Sequence, residues 1–244
     1  MSKTIVITGA GAGLGRALAR RFAADGDEVV LLGRTPAKVE KVAAEIGPRA
    51  MAVGCDVASP QSVAAAFKAI AARHPRIDVL INNAAVYEPF LVAEATDEQI
   101  LKIIATNLTG PILCVRAAIP LMHSGGHIIN LSSESVELPF PHLSLYQCSK
   151  AGLERFSQAL EQELAPQGIR VTTVRAGQMM DAEKTWDIEP KAAARFGAAA
   201  LAVGLNLRER PISEFTSVTH IFRALIDLPP DLHAGSVVLR ARKP

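Results

Sequence analysis

Residues 4–23 read TIVITGAGAGLGRALARRFA, and this stretch decides the fold. A β-branched apolar run is followed by a glycine-rich turn and then by an amphipathic helical pattern. Glycines let the backbone turn sharply and approach a ligand closely, while the first turn of the next helix offers free N–H groups and a positive dipole end. The glycines alone would indicate only a flexible turn, but strand, turn and helix together predict a pyrophosphate-binding unit.

The same alternation of β-branched runs and alanine-rich or leucine-rich stretches continues to the C-terminus. It predicts seven strands, near residues 4–8, 28–32, 50–55, 79–82, 127–131, 170–175 and 236–239. Strands that alternate with helices predict the α/β class, here a Rossmann-type, doubly wound, seven-stranded parallel sheet flanked by helices. A length of 244 residues fits one domain, residues 1–244.

Residues 178–211 interrupt this rhythm between the sixth strand and the last helix. Because ligands bind beyond the carboxyl ends of the strands in an open α/β sheet, we predict that this segment is a substrate lid. Met179, Met180 and Trp186 predict either an adaptable apolar wall, which favours a hydrophobic or bulky carbonyl compound, or simple packing of the lid on the core.

Composition and charge exclude several classes of partner. A formal net charge of +2 without a basic block argues against nucleic acid. No apolar run approaches the ~20 residues of a membrane span, and no targeting segment precedes the first strand, so we expect no membrane association and a cytoplasmic location. Cys55, Cys114 and Cys148 form no CxxC pair and are expected to be buried, inert thiols, and the six histidines show no metal-ligand spacing.

The end of the second predicted strand bears on cofactor choice. Gly33 stands where an acidic side chain would bind the 2′-hydroxyl of an adenosine ribose, and Arg34 follows it. An arginine beside a neutral residue can pair with a 2′-phosphate, so we predict NADP(H), with NAD(H) as the alternative. The alternative interpretation of Arg34 is a solvated residue before a helix.

Four polar residues are candidates for catalysis. Tyr146 and Lys150 lie four apart in a helical pattern and share one face, where an ammonium would lower the pKa of the phenol. Ser133 follows an apolar strand and could hydrogen-bond a substrate oxygen, while Asn107 lies unfavourably inside a helical run. Taken singly, the first two residues could be a surface pair, and the other two could be caps or satisfied polar groups.

In order and spacing, positions 4–240 resemble the short-chain dehydrogenase/reductase family. The matching elements are Thr8-Gly9-x-x-x-Gly13-x-Gly15, Asp56-Val57, Asn82-Asn83-Ala84, Asn107, Ser133, Tyr146-x-x-x-Lys150 and Gly177. The resemblance implies hydride transfer between a nicotinamide and a carbonyl or alcohol substrate. It implies that Tyr146 is the general acid or base, Ser133 orients the substrate, Asn107 binds a relay water and Lys150 bonds the nicotinamide ribose.

The resemblance also implies the cofactor contacts. Asp56 and Val57 would meet the adenine, Asn83 the adenosine ribose, and the Met179 backbone the carboxamide. The remaining cofactor-binding positions implied are Gly9, Gly13, Leu14, Gly15, Arg34 and Gly177, together with Tyr146 and Lys150.

The family further implies a homodimer or homotetramer built through the long helices near residues 97–122 and 145–165. Two departures from the family pattern stand at Ala176, where proline is usual, and Asp181, where threonine is common. They motivate the alternative function of a non-catalytic dinucleotide-binding regulator or scaffold. Between the candidate serine and tyrosine, Glu137 and His142 are interpreted as solvated loop residues rather than substrate contacts.

Overall fold

The computed structural model describes residues 2–181 and 188–242, and its centre is a seven-stranded parallel sheet. The sheet strands are β1 (Thr4–Thr8), β2 (Glu28–Gly33), β3 (Ala50–Gly54), β4 (Val79–Asn82), β5 (His127–Ser133), β6 (Arg170–Ala176) and β9 (Ser236–Leu239). Their spatial order is β3-β2-β1-β4-β5-β6-β9, so the chain reverses direction across the sheet between β1 and β4. The predicted fold class and all seven strands are confirmed.

Helices cover both faces of the sheet. They are α1 (Gly13–Ala24), α2 (Pro36–Ile46), α3 (Pro60–Arg73), α4 (Asp97–Ile104), α5 (Gly110–Ala118), α6 (Ser144–Leu164), α7 (Pro190–Ala202) and α8 (Phe215–Ile226). Because side chains alternate along a strand, Ile5 and Ile7 pack with α1, α2 and α8, whereas Val6 packs with α3, α5 and α6. Two apolar layers thereby fix the sheet between the helices.

Three strands run further than predicted, β2 by one residue to Gly33. β5 continues to Ser133 and β6 to Ala176, and their last residues are paired with each other. Backbone pairing therefore holds Ser133, a candidate catalytic residue, at the carboxyl edge of the sheet. Local sequence gave a weak signal here because serine and alanine are not typical strand residues.

The predicted lid segment contains regular structure that the sequence did not indicate. A small second sheet joins β7 (Met179–Met180) to β8 (Ser213–Glu214), and α7 lies between them. Strands of two residues carry no periodic signal, so only the fold brings these segments together. Trp186 lies outside the described residues.

One helical run passes through α4 and α5 without a break. A π-helical turn at Ala105–Thr109 joins the two helices. By length and composition alone the run Asp97–Leu121 is apolar enough to cross a membrane, but it packs against α3 and α6, as a core helix does. The first turn is closed by a reciprocal capping box between Thr96 and Gln99.

The prediction that all three cysteines are buried is wrong for one of them. Cys55 and Cys114 are buried, and burial raises the pKa of the Cys55 thiol to about 11. Cys148 is exposed on α6, because it points away from the face that carries Tyr146 and Lys150. The helical period separates these side chains even though they lie within five residues.

Candidate active site

The glycine turn after β1 requires glycine for its backbone conformation at two positions and for a close contact at a third. Gly9 and Gly13 have positive φ values of 67° and 52°, which favour glycine. A Cβ atom on Gly15 would lie 2.5 Å from the Gly9 carbonyl oxygen and 2.6 Å from Asn83 Nδ2. Helix α1 therefore begins directly against the ends of β1 and β4, with its first N–H groups at the carboxyl edge of the sheet.

A cleft of about 540 Å³ opens above this turn. Its walls include most of the cofactor positions that the sequence proposed, namely Gly9, Gly13, Leu14, Arg34, Asp56, Val57 and Asn83. Gly15 supports the cleft from below through its contacts with Gly9 and Asn83. Glycines, a helix start and an arginine in one elongated cleft fit a dinucleotide with a pyrophosphate at its middle.

The residues at the end of β2 suit a phosphate better than a ribose hydroxyl. A Cβ atom on Gly33 would lie 2.7 Å from Val39 Cγ1, so an acidic side chain there would displace buried packing. Arg34 is exposed at the cleft, and no hydrogen bond or ion pair to residues 2–181 or 188–242 occupies its guanidinium. The guanidinium is thus available to an anion.

A second cavity, of about 580 Å³, adjoins the first. Arg34, Ala85 and Val86 line both spaces. Ser133 and Tyr146 line the second cavity, and so do Gly177 and Met179. Two of the four predicted catalytic residues therefore line a cavity that shares lining residues with the cleft.

Burial and two neighbouring residues shift the pKa of Tyr146. Burial has the largest effect and raises this pKa above its ordinary value, the nearby Ser133 hydroxyl lowers it, and the charge of Glu134 raises it. The expectation that Lys150 lowers the Tyr146 pKa is wrong in this structure. The Lys150 amine lies 5.9 Å from the Tyr146 ring centroid and donates instead to the Leu131 carbonyl at 2.7 Å.

Lys150 is almost fully buried behind the phenol, with 3% of its surface exposed. Burial disfavours the charged amine and lowers the pKa of Lys150 to about 8. Its hydrogen bond to Leu131 is to a neutral carbonyl, and the described residues provide no carboxylate partner. The fold thus buries an ammonium, at a cost in folding free energy, next to the candidate acid. Buried groups with shifted pKa values are common in functional sites.

Asn107 is fully buried in the π-helical turn, and its side chain is already satisfied. Its Oδ1 accepts from Val86 N at 2.7 Å, and its Nδ2 donates to Val86 O at 2.9 Å and to Ser149 Oγ at 3.2 Å. These bonds fix Val86 in the loop that follows β4, and Tyr87 is the next residue of that loop. The Asn107 side chain therefore holds this part of the cavity wall in place.

The sequence missed two groups in the second cavity. Tyr87 lies edge-on to Tyr146 with ring centroids 5.3 Å apart, and Arg210 pairs with Glu134 through Nη2 and Oε2 at 2.5 Å. Tyr87 offered a weak signal as the only other tyrosine of the chain. Arg210 offered none, because its partner lies 76 positions earlier.

The two loop residues interpreted as solvated are exposed at Glu137 and partly exposed at His142. Glu137 pairs with Arg175 and Arg240 at the surface. His142 has a positive φ of 62°, and its carbonyl accepts a hydrogen bond from Phe90 N at 2.8 Å. Neither is among the residues that line the second cavity.

The chain belongs to the short-chain dehydrogenase/reductase family, since the family model for short chain dehydrogenase matches residues 3–192. A 3beta-hydroxysteroid dehydrogenase 1 from Eggerthella lenta is 36% identical over 201 residues, which cover 78% of this chain and 77% of that protein. A galactitol 2-dehydrogenase from Agrobacterium fabrum is 33% identical over 190 residues, covering 77% and 73%.

The fold is also shared with solved structures. A metagenomic short-chain oxidoreductase in complex with NADP superposes with a TM-score of 0.79 at 27% identity, covering 100% of this chain and 99% of that one. Fold, motif order and sequence similarity therefore identify an oxidoreductase of this family.

The close contact at Gly15 can be tested against a helical glycine that has free space. Gly15→Ala should lower the free energy of unfolding by about 1–3 kcal/mol, because the new methyl group collides with backbone and with the Asn83 amide. Gly197→Ala, in α7 with nothing within 4 Å of the added Cβ, should raise it by about 0.5–1 kcal/mol. Urea unfolding measures both, and equal effects would contradict the contact.

Burial of Lys150 predicts a pH-dependent stability difference. The folded-state pKa of about 8 lies below the ordinary 10.5, so the unfolded chain binds more protons between these pH values and stability rises with pH across that window. Lys150→Met should therefore be more stable than the wild type at pH 7, by on the order of 3 kcal/mol, with the difference fading towards pH 10.5.

The matched control is Lys68→Met, at an exposed position of α3. Denaturant unfolding at several pH values gives the curves for both variants. If the stability difference between Lys150→Met and the wild type stayed constant from pH 7 to 10.5, the buried ammonium would not be its cause.

Proposed function

We propose that this chain is an NADP(H)-dependent oxidoreductase that moves hydride between a nicotinamide and a carbonyl or alcohol substrate. The observation that best supports this proposal is the wall shared by the dinucleotide cleft and the second cavity. Ala85 and Val86 border both the dinucleotide cleft and the cavity that contains Tyr146 and Ser133. A nicotinamide at that junction would supply hydride at its C4 atom, within reach of a substrate beside the phenol.

Tyr146 is the proposed proton carrier. In reduction its Oη atom gives a proton to the substrate oxygen, and in oxidation it takes one from the substrate hydroxyl. A pKa raised by burial keeps the phenol protonated at neutral pH, which suits the acid role. Ser133, which lines the same cavity as the phenol, orients the substrate oxygen by a second hydrogen bond.

We propose supporting roles in this proton transfer for Lys150 and Asn107. The Lys150 ammonium would hold the nicotinamide ribose by hydrogen bonds. Because the polar atoms of the Asn107 side chain are bonded to Val86 and Ser149, a relay water would meet the main chain of Asn107. The side chain then acts as a positioning group for the loop that carries Tyr87.

Two lines support the class of reaction and the cofactor. The names of both relatives describe dehydrogenases of compounds that carry hydroxyl groups, a hydroxysteroid and galactitol. NADP is bound in the metagenomic relative. The free guanidinium of Arg34 beside Gly33 favours NADP(H) over NAD(H) in this chain.

We extend this proposal to the domain organisation, the assembly and the location of the protein. Residues 1–244 act as one domain, with 178–211 as a lid, because Met179, Phe196 and Arg210 from that segment line the substrate cavity. A homodimer or homotetramer through α4 and α6 is supported by Leu101, which is 67% exposed on α4. Unpaired cysteines fit a reducing, cytoplasmic setting.

The role of Tyr146 is tested by Tyr146→Phe. Loss of the phenolic hydroxyl should lower kcat at least a thousandfold while the Kd for NADPH stays within about threefold of the wild type, because the ring and its packing remain. NADPH absorbance gives the rate and fluorescence titration gives the Kd. A variant that keeps a tenth of the activity would disprove the role.

Cofactor choice is tested by Arg34→Leu. The loss of a charge-assisted contact worth about 1.5–3 kcal/mol should weaken NADPH binding roughly 10–100-fold and leave NADH binding nearly unchanged. Arg49→Leu, at a half-exposed arginine of the β2–β3 edge, is the control. A wild type that prefers NADH would overturn the assignment.

The alternative function, a non-catalytic dinucleotide-binding regulator or scaffold, rests on Ala176 and Asp181. In the structure Asp181 pairs with Arg16 at 3.0 Å beside the dinucleotide cleft. NADPH binding without turnover of any carbonyl or alcohol in a broad panel would favour it.

A further inference from the structure

Aromatic rings form most of one wall of the substrate cavity. Tyr87 lies edge-on to Tyr146 at 5.3 Å and to Phe196 at 6.1 Å, and Phe196 stacks on Phe140 at 6.3 Å with an interplanar angle of 26°. Leu143, Met179, Ile188 and Leu207 continue the apolar lining. Flat rings arranged in this way offer faces and edges to another ring.

The rings come from separate parts of the chain. Tyr87 follows β4, Phe140 lies between β5 and α6, Tyr146 stands on α6, and Phe196 stands on the lid helix α7. Contact among them therefore couples the lid to the candidate acid. A substrate that replaces solvent against this wall would bury apolar surface over the reacting group.

Most of the charged side chains that line this cavity form ion pairs with one another. Glu134 pairs with Arg210, and Glu88 accepts from Lys102 Nζ at 3.4 Å and from Gln99 Nε2 at 2.6 Å. The fifth charged residue of the lining, Arg34, also lines the dinucleotide cleft. With Arg34 bound to the 2′-phosphate of the cofactor, a charged substrate would have to break an existing pair to gain a counter-ion.

Arg210 contacts the aromatic wall as well as Glu134. Its guanidinium carbon lies 5.2 Å from the centroid of the Phe140 ring. The side chain is thus held against the aromatic wall by a cation–π contact and by Glu134. Glu134 is the group that prevents Arg210 from attracting an anion.

We infer that the substrate is an uncharged ketone or secondary alcohol with a ring next to the reacting carbon. This inference rests on the proposed function and narrows it to a substrate class. The ring lies on Tyr87, Phe140 and Phe196, and the oxygen reaches Tyr146 and Ser133. The Glu134–Arg210 pair excludes carboxylates, because each of its charges is already compensated.

Two matched pairs of substrates separate ring from charge. Acetophenone and 2-octanone have the same number of carbons, and methyl benzoylformate differs from benzoylformate by the loss of the negative charge. With NADPH, we expect kcat/KM to be at least tenfold higher for acetophenone than for 2-octanone and for the ester than for the acid. A preference for 2-octanone or for the acid, with turnover present, would overturn the substrate class and leave the proposed reaction standing.

Glu134→Gln tests the reason for the exclusion. Removal of its negative charge frees Arg210 to bind a carboxylate, so the ratio of kcat/KM for benzoylformate to that for its ester should rise at least tenfold. Glu94→Gln is the matched control. It breaks the bidentate pair of Glu94 with Arg195 on the exposed side of α7, at 2.9 and 3.0 Å, and should leave the ratio unchanged.

Calorimetry on the Tyr146→Phe protein with NADPH gives a readout that does not depend on turnover. Tighter binding of acetophenone than of 2-octanone, and of the ester than of the acid, would uphold the substrate class. If the wild type nevertheless reduced none of these compounds, only the proposed reaction would be refuted. No binding and no turnover would refute both. An unchanged ratio in Glu134→Gln would refute the role of the ion pair.

Discussion

The hydrogen bonds that tie the end of β1 to the end of β4 are the constraint on which the site depends. Thr8 Oγ1 accepts from the backbone N–H groups of Asn83 and Ala84 at 3.0 Å each, and Asn83 Nδ2 donates back to the Thr8 carbonyl at 2.9 Å. These bonds lie where strand order reverses, which is where an open α/β sheet binds ligands. Residues directly after them form the wall between the cleft and the cavity.

A second set of interactions braces the end of β5 from behind. Ser132 donates to Glu154 at 2.5 Å, and Arg175 on β6 binds both oxygens of that carboxylate at 2.9 and 2.7 Å. The network uses the side-chain face opposite to Ser133 and joins β5, β6 and α6. Ser133 and Tyr146 therefore belong to elements that are cross-linked next to the reacting groups, and this reduces their freedom to move apart.

Much of the fold was predictable because its signals are local. Strands such as Val79–Asn82 are buried on both faces and form continuous apolar runs, and the glycine turn marks a strand-to-helix junction. The same holds for the shared face of Tyr146 and Lys150, which follows from helical spacing. Other expectations failed where surroundings decide: Cys148 is exposed, and the pKa of Tyr146 is raised because burial outweighs the lowering effect of the Ser133 hydroxyl.

The sequence by itself determined the alternation of strands and helices, the position of the glycine turn and the order of the family motifs, since each depends on residues that are close in the chain. Only the tertiary structure decided how Glu134 meets Arg210, how Phe196 reaches Tyr87, and where the buried Lys150 amine finds the Leu131 carbonyl. Contacts between residues far apart in the chain leave no periodic pattern. They arise when two apolar layers fix the sheet and bring its carboxyl edge under the segment that follows β6.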